Sequence, residues 1–160
     1  MTNTDATVTN NMELVEDCII ERLKKANEFK GFDVMPYPLD ITKFDFVSSK
    51  GCLLVKYEAS SFTTPQNLYV TDQTETMEFS VFAGLRYLKN YKDAYKPVEQ
   101  IKKVLTGLSI KGKRLYPKRR QFVDFIKGDI YWGYTFVIEL PTAENIEQNN
   151  VIPLWMRQPE

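Results

Sequence analysis

TMEFSVFAGLRYLKNYKDAYKPVEQIKKVLTGL, residues 76–108, changes its hydrophobic period midway. In the first half Met77, Phe79, Val81 and Ala83 fall on one side and Glu78 and Ser80 on the other, the period-two pattern of a half-buried β-strand. In the second half Ala94, Val98, Ile101, Leu105 and Leu108 recur at spacings of three and four, which predicts a helix. Asp93 stands where an N-cap belongs, and Gly107 follows Lys102 and Lys103 where the helix should stop. A long strand hands over to an amphipathic helix. Such a unit buries one side and offers the other to solvent or a partner, and it supplies no nucleophile, base or phosphate loop. It reads as a part of an assembly.

Before it, Asn10 and Glu13 have capping-box spacing, and Val15, Ile19, Leu23 and Ala26 form one apolar stripe ended by Gly31. Glu13, Glu16 and Asp17 open this helix and Arg22, Lys24 and Lys25 close it, the order that the helix dipole favours. Pro36-Tyr37-Pro38 fixes an extended segment. Cys52 to Tyr57 is the first predicted strand, apolar on both faces at its start as a central strand should be. Ser60 to Gln66 reads as loop, Leu68 to Val70 as a short strand and Thr71 to Glu75 as a turn.

After the helix, Gln121 to Ile126 and Asp129 to Leu140 form a hairpin through Lys127-Gly128. Trp132, Tyr134, Phe136, Ile138 and Leu140 make one strongly aromatic face that must be covered. The predicted fold is α+β: a mainly antiparallel sheet of four to five strands with two helices, as one domain over residues 12–140. Residues 1–11 and 141–160 read as a flexible and an extended arm. The second arm carries Val151, Ile152, Leu154, Trp155 and Met156, so it docks on something, either its own domain or a neighbouring subunit.

Composition narrows the function classes. Lys plus Arg equals Asp plus Glu at 21 each, which argues against a generic nucleic-acid binder. With no histidine, Ser-His-Asp and Cys-His sites and every His-containing zinc set are excluded, and two cysteines cannot make a Cys₄ site. No phosphate-binding glycine run exists. Pairs such as Glu16 with Asp17 or Asp124 with Asp129 are more simply a solvated helix face and a hairpin end. Neither catalysis nor a cofactor is expected. Cys18 and Cys52 read as small buried hydrophobes, with a disulfide as the lesser alternative. No apolar run is long enough to cross a bilayer and no leader is visible, so a cytoplasmic protein without membrane contact is expected.

The positive feature is basic. Lys111, Lys113, Arg114, Lys118, Arg119 and Arg120 gather around Tyr116 and Pro117 in a predicted connection between helix and hairpin. A solvated loop, an acidic protein partner and nucleic acid in a pore all fit this pattern. Tyr116 alone is too little for single-strand stacking. Arg119 and Arg120 suit carboxylates on a neighbouring copy, where a planar fork outperforms lysine.

A family resemblance rests on Met12-Glu13, Ile19-Ile20, Leu23, Pro36-Tyr37-Pro38, the run Lys50 to Glu58, Phe79-Ser80-Val81, Arg86, Tyr95, Val98, Leu105-Thr106-Gly107, Gly128, Tyr131-Trp132 and Tyr134. In order and spacing these resemble the gene-product-thirty-seven family of Mu-like phages and prophages. Its members are small ring-forming tail proteins similar to the lambda tail terminator, protein U. The resemblance spans residues 12 to 140 and leaves both arms outside. It implies a tail-terminator-like fold, and a homo-hexamer or stacked hexamers capping the tail tube, assembled in the bacterial cytoplasm as part of the virion tail. The implied partners are the tail tube protein and a head-completion or connector protein, with DNA contact in the pore left open. No catalytic residue is implied. The interface candidates are Lys111, Lys113, Arg114, Lys118, Arg119, Arg120 and Trp155. Two alternatives stay open: a neck, head-completion or baseplate component of the same particle, and a small α+β nucleic-acid-binding module.

Overall fold

Asn10 begins the first helix as the capping spacing requires: its side-chain oxygen accepts the Glu13 amide at 2.9 Å. The computed structural model describes residues 10–66, 69 and 72–143. Helix α1 (Asn11–Lys25) buries Val15, Ile19 and Leu23 completely, while Ala26 is partly buried at its end. Gly31 does not end it. A single 3₁₀ turn, Asn27–Phe29, intervenes and carries Phe29 into the core.

Strands β1 (Asp33–Pro36), β2 (Gly51–Phe62), β3 (Asp72–Leu85), β6 (Tyr116–Ile126) and β7 (Asp129–Ala143) form one sheet, ordered β1-β2-β3-β7-β6. A separate two-stranded hairpin, β4 (Ser109–Ile110) with β5 (Lys113–Arg114), lies between helix α2 (Tyr95–Leu105) and β6. Pairing is antiparallel except between β1 and β2, which are parallel. The fold is α+β with two helices and a five-stranded mixed sheet.

Several local expectations are corrected. The segment around Pro36 contributes a strand, β1, which runs parallel to β2 after the chain crosses over through residues 37–50. The expected loop from Ser60 starts only after Phe62, and the expected turn up to Glu75 is already strand from Asp72. Of the short strand expected at Leu68 to Val70, only Tyr69 is described, in a bend. Strand β7 continues through Pro141 to Ala143, pairing with Thr74, Gln73 and Asp72, so the sheet extends past the expected domain end at Leu140. Both arms beyond this, residues 1–9 and 144–160, lie outside the described residues.

The long strand and helix agree with the reading of residues 76–108. Met77, Phe79, Val81 and Ala83 are fully buried on one face of β3, opposite Ile138, Phe136, Tyr134 and Trp132 of β7. Helices α1 and α2 cover this face. Val98, Ile101 and Leu105 join Ile19, Leu23, Leu53, Val55, Phe79 and Phe136 in the main core. Each such side chain contributes about 1.5–3 kcal/mol when fully buried. Asp93 is not the N-cap. Asn90 caps a 3₁₀ turn (Tyr91–Ala94) leading into α2, and Asp93 answers from inside the turn by accepting the Lys89 and Asn90 amides.

The opposite face of the sheet is half covered. Phe46, Cys52, Leu54 and Tyr131 form a second cluster beneath residues 37–50, with Tyr37, Ile41 and Phe44 packed on it. Strand β2 thus starts buried on both faces. Gly84 makes this cluster possible, since a Cβ there would lie 2.7 Å from the Tyr131 ring and 2.8 Å from Cys52 Sγ. Both cysteines are free; Cys52 is buried and Cys18 only partly so. The hairpin turn expected at Lys127-Gly128 is present, with positive φ at both residues (51° and 81°), as the twist of a two-residue connection demands. No helix among the described residues is long and apolar enough to cross a membrane.

Candidate assembly interface

The basic segment is not a loop. Lys111 sits in the β4–β5 turn at φ 51° and donates to Asn11 at 2.7 Å, while Lys113 and Arg114 form β5. Lys118, Arg119 and Arg120 belong to β6, which among the described residues pairs only with β7 and is there an edge strand. Lys118 pairs with Glu78 on the half-open face. Arg120 turns to the other face, where it meets Glu99 of α2 at 2.6 Å and the Tyr134 hydroxyl at 2.9 Å. The Arg120 carboxylate is thus supplied by its own chain. Glu99 is held below the usual carboxylate range by Lys102 first and Arg120 second. Arg119, Lys113 and Arg114 are exposed and make no ion pair among the described residues. The six cations are split between a hairpin beside α1 and two faces of an edge strand. Trp155 lies outside the described residues.

This placement protects an edge. A row of unpaired backbone groups invites pairing with another chain, and lysine, proline and bulges blunt it. Strand β6 carries Pro117, Lys118, Arg119 and Arg120, with register shifts between Pro117 and Arg119 and between Phe122 and Asp124. The uncovered part of the sheet beside it is polar. Glu58, Glu78, Ser80, Arg119, Gln121 and Thr135 line a concavity of about 330 Å³ there.

On the helix side, the C-terminal half of β6 is aromatic. The second bulge takes Val123 out of register, so Phe122 and Phe125 share one face, opposite Trp132 and Ile130 of β7. Their rings lie 5.3 Å apart. Tyr91, just before α2, packs edge-on at 6.2 Å from Phe122 and 6.1 Å from Phe125, and Tyr95 lies 6.1 Å from Trp132. These four residues are 38–54% exposed, and Trp132 is half-buried beneath them. The Trp132 indole nitrogen is buried without a hydrogen-bond partner among the described residues.

A scan against family models matches residues 19–157 to the Gp37 protein family. The chain belongs to the Gp37 family. It is accordingly a phage-associated protein. No curated protein matches it closely enough to count as a relative. The match runs beyond the expected limit at residue 140 and takes in Val151, Ile152, Leu154, Trp155 and Met156, so most of the C-terminal arm belongs to the family pattern. Among the described residues no group of three Cys, Asp or Glu is placed to hold a metal.

Sequence reasoning found the charged half of β6 and missed its aromatic half. Period-two counting puts Phe122 and Phe125 on opposite faces; only the bulge brings them together. The signal that was available is the density of aromatic residues in Tyr91, Tyr95, Phe122, Phe125 and Trp132.

Proposed function

We propose that this Gp37 protein is a tail terminator: six copies form a ring at the head-proximal end of the tail tube, end its growth and present the surface for head joining. The family match over residues 19–157 is the observation that carries this reading. The fold supports it physically. A closed ring is built from head-to-tail contacts in which each copy offers two different surfaces. This sheet ends in two unlike edges, the four-residue β1 and the eleven-residue β6. The polar sheet face and the aromatic, helix-covered side differ as the two sides of a terminating ring must, one matching the tube and the other not. On this reading the protein transforms no molecule. Its partners are its own copies, the tube protein and a head-completion or connector protein, and it is assembled in the host cytoplasm into the virion tail.

Native mass spectrometry tests the assembly. Hexamers or stacked hexamers are expected; a stable monomer with salt-sensitive DNA affinity overturns the reading in favour of a nucleic-acid module.

A further inference from the structure

The aromatic patch formed by Tyr91, Tyr95, Phe122 and Phe125 above the unpartnered Trp132 indole lacks a cover among the described residues. We infer that residues 151–156 of a second copy of this chain are that cover, an inference that rests on the self-assembly reading above. Three observations point to this occupant. The first is chemistry. Val151, Ile152, Leu154, Trp155 and Met156 are an apolar cluster inside the family match, the chemistry that four half-exposed aromatic rings would take as a cover.

The second is charge. Residues 144–160 carry Glu144, Glu147 and Glu160 against Arg157, a net charge of −2 (one cation less three anions). Lys89, Lys92 and Lys96 are exposed around Tyr91 and Tyr95. The Asp93 carboxylate between them is engaged by two backbone amides. An acidic arm therefore meets a basic rim.

The third is reach, which selects a neighbour over the same chain. Ala143 pairs with Asp72, while Trp132 pairs with Ala83, so eleven residues of β7 separate the start of the arm from the patch. At about 3.3 Å per strand residue that is about 36 Å. To return along its own domain the chain must first reverse, which takes about three residues. Met156 then lies ten residues further on, within about 34 Å at full extension, and Val151 within about 17 Å. Only the end of the cluster approaches Trp132, and Val151, Ile152 and Leu154 fall well short of it at no more than about 29 Å. A head-to-tail neighbour removes this limit, because its patch is placed by the ring and not by the length of β7.

The test uses two full-length versions with different mass tags, both with Cys18→Ala. One carries Phe125→Cys and the other Trp155→Cys; Tyr91→Cys with Leu154→Cys is a second pair, and Leu39→Cys, an exposed site on residues 37–50, replaces Phe125→Cys as control. After mild oxidation, cross-chain disulfides are expected at about tenfold or more above the control, because docking raises the local thiol concentration toward millimolar. Cross-chain yield at the control level for both pairs overturns the inference. So does a disulfide confined to one chain when both cysteines of a pair are placed in it. Native mass spectra of the same samples separate the two claims. Rings without the cross-link overturn only the arm, and monomers at every concentration overturn the self-assembly reading as well.

Discussion

Arg86 donates through Nε to both carboxylate oxygens of Asp129, at 3.1 and 3.2 Å. The same guanidinium donates to the Phe46 carbonyl at 2.6 Å, pairs with Asp45 and lies 3.7 Å over the Phe46 ring. It stands just past the end of β3, and Asp129 opens β7, so one side chain ties the sheet to the crossover formed by residues 37–50. Hydrogen bonding to Asp129, more than to any other group, holds the guanidinium above its ordinary pKa. Arg86→Leu leaves the buried Asp129 carboxylate unpaired and is expected to cost about 2–3 kcal/mol in a denaturant titration. Hydrogen exchange should then quicken in residues 41–48 and not in α2. Unchanged exchange there contradicts the tie.

Gly84→Ala places a methyl group within 3 Å of Tyr131 and Cys52, in a cluster sealed from both sides. A loss of about 1–3 kcal/mol is expected from overpacking. Cys52→Ala in the same chain removes the sulfur and should recover part of it. A strictly additive double variant contradicts the contact.

Burial pushes the Cys52 thiol up to about 12 from its ordinary 9.0, against hydrogen bonds from Gly84 and Tyr131. The folded form thus favours the neutral thiol. Its contribution to stability is complete below pH 9 and is lost as pH rises toward 12. The unfolding midpoint should fall across that window, and less steeply in Cys52→Ala. Iodoacetamide at pH 8 should modify Cys18 before Cys52, and rapid modification of native Cys52 contradicts its burial.

Trp132 is half-buried, so Trp132→Ala should cost less than the roughly 3–5 kcal/mol of a fully enclosed aromatic. Trp132→Phe is more informative. It keeps most of the packing and removes the unpaired N–H, so protomer stability should change by less than about 1 kcal/mol. Size-exclusion chromatography should nevertheless show weaker association, because the smaller ring reshapes the Tyr95 and Phe122 contacts above it. A variant that is both equally stable and equally associated removes this indole from the interface.

Arg119 and Arg120 separate the charged edge from the fold. Arg120→Glu sets two carboxylates against each other at Glu99 and should loosen α2 only slightly, because solvent screens the pair at this exposed site. Arg119→Glu should leave thermal unfolding unchanged and weaken assembly. Unaltered assembly of Arg119→Glu removes this residue from the interface.

Much of the architecture is legible in the residues because its signals are local. The Asn10–Glu13 spacing marks the start of α1, alternation from Trp132 to Leu140 marks the buried face of β7, and Lys127-Gly128 marks the hairpin. What escapes is nonlocal or irregular. Strand β1 is four residues long and owes its pairing to β2 across residues 37–50, which no periodicity records. The basic residues of β6 read as loop because charge and proline are also how an edge strand avoids a partner. The aromatic patch depends on one bulge, and Asn90 outcompetes Asp93 as cap because Asp93 stabilises the turn from within.

Electron microscopy of tubes grown from the phage's own tail-tube subunit, with and without this protein, asks whether the chain ends a growing tube by assembling on it, as we propose. Shorter tubes bearing a ring of this protein at one end are expected, whereas tubes that lengthen equally and bind none of it contradict the proposal.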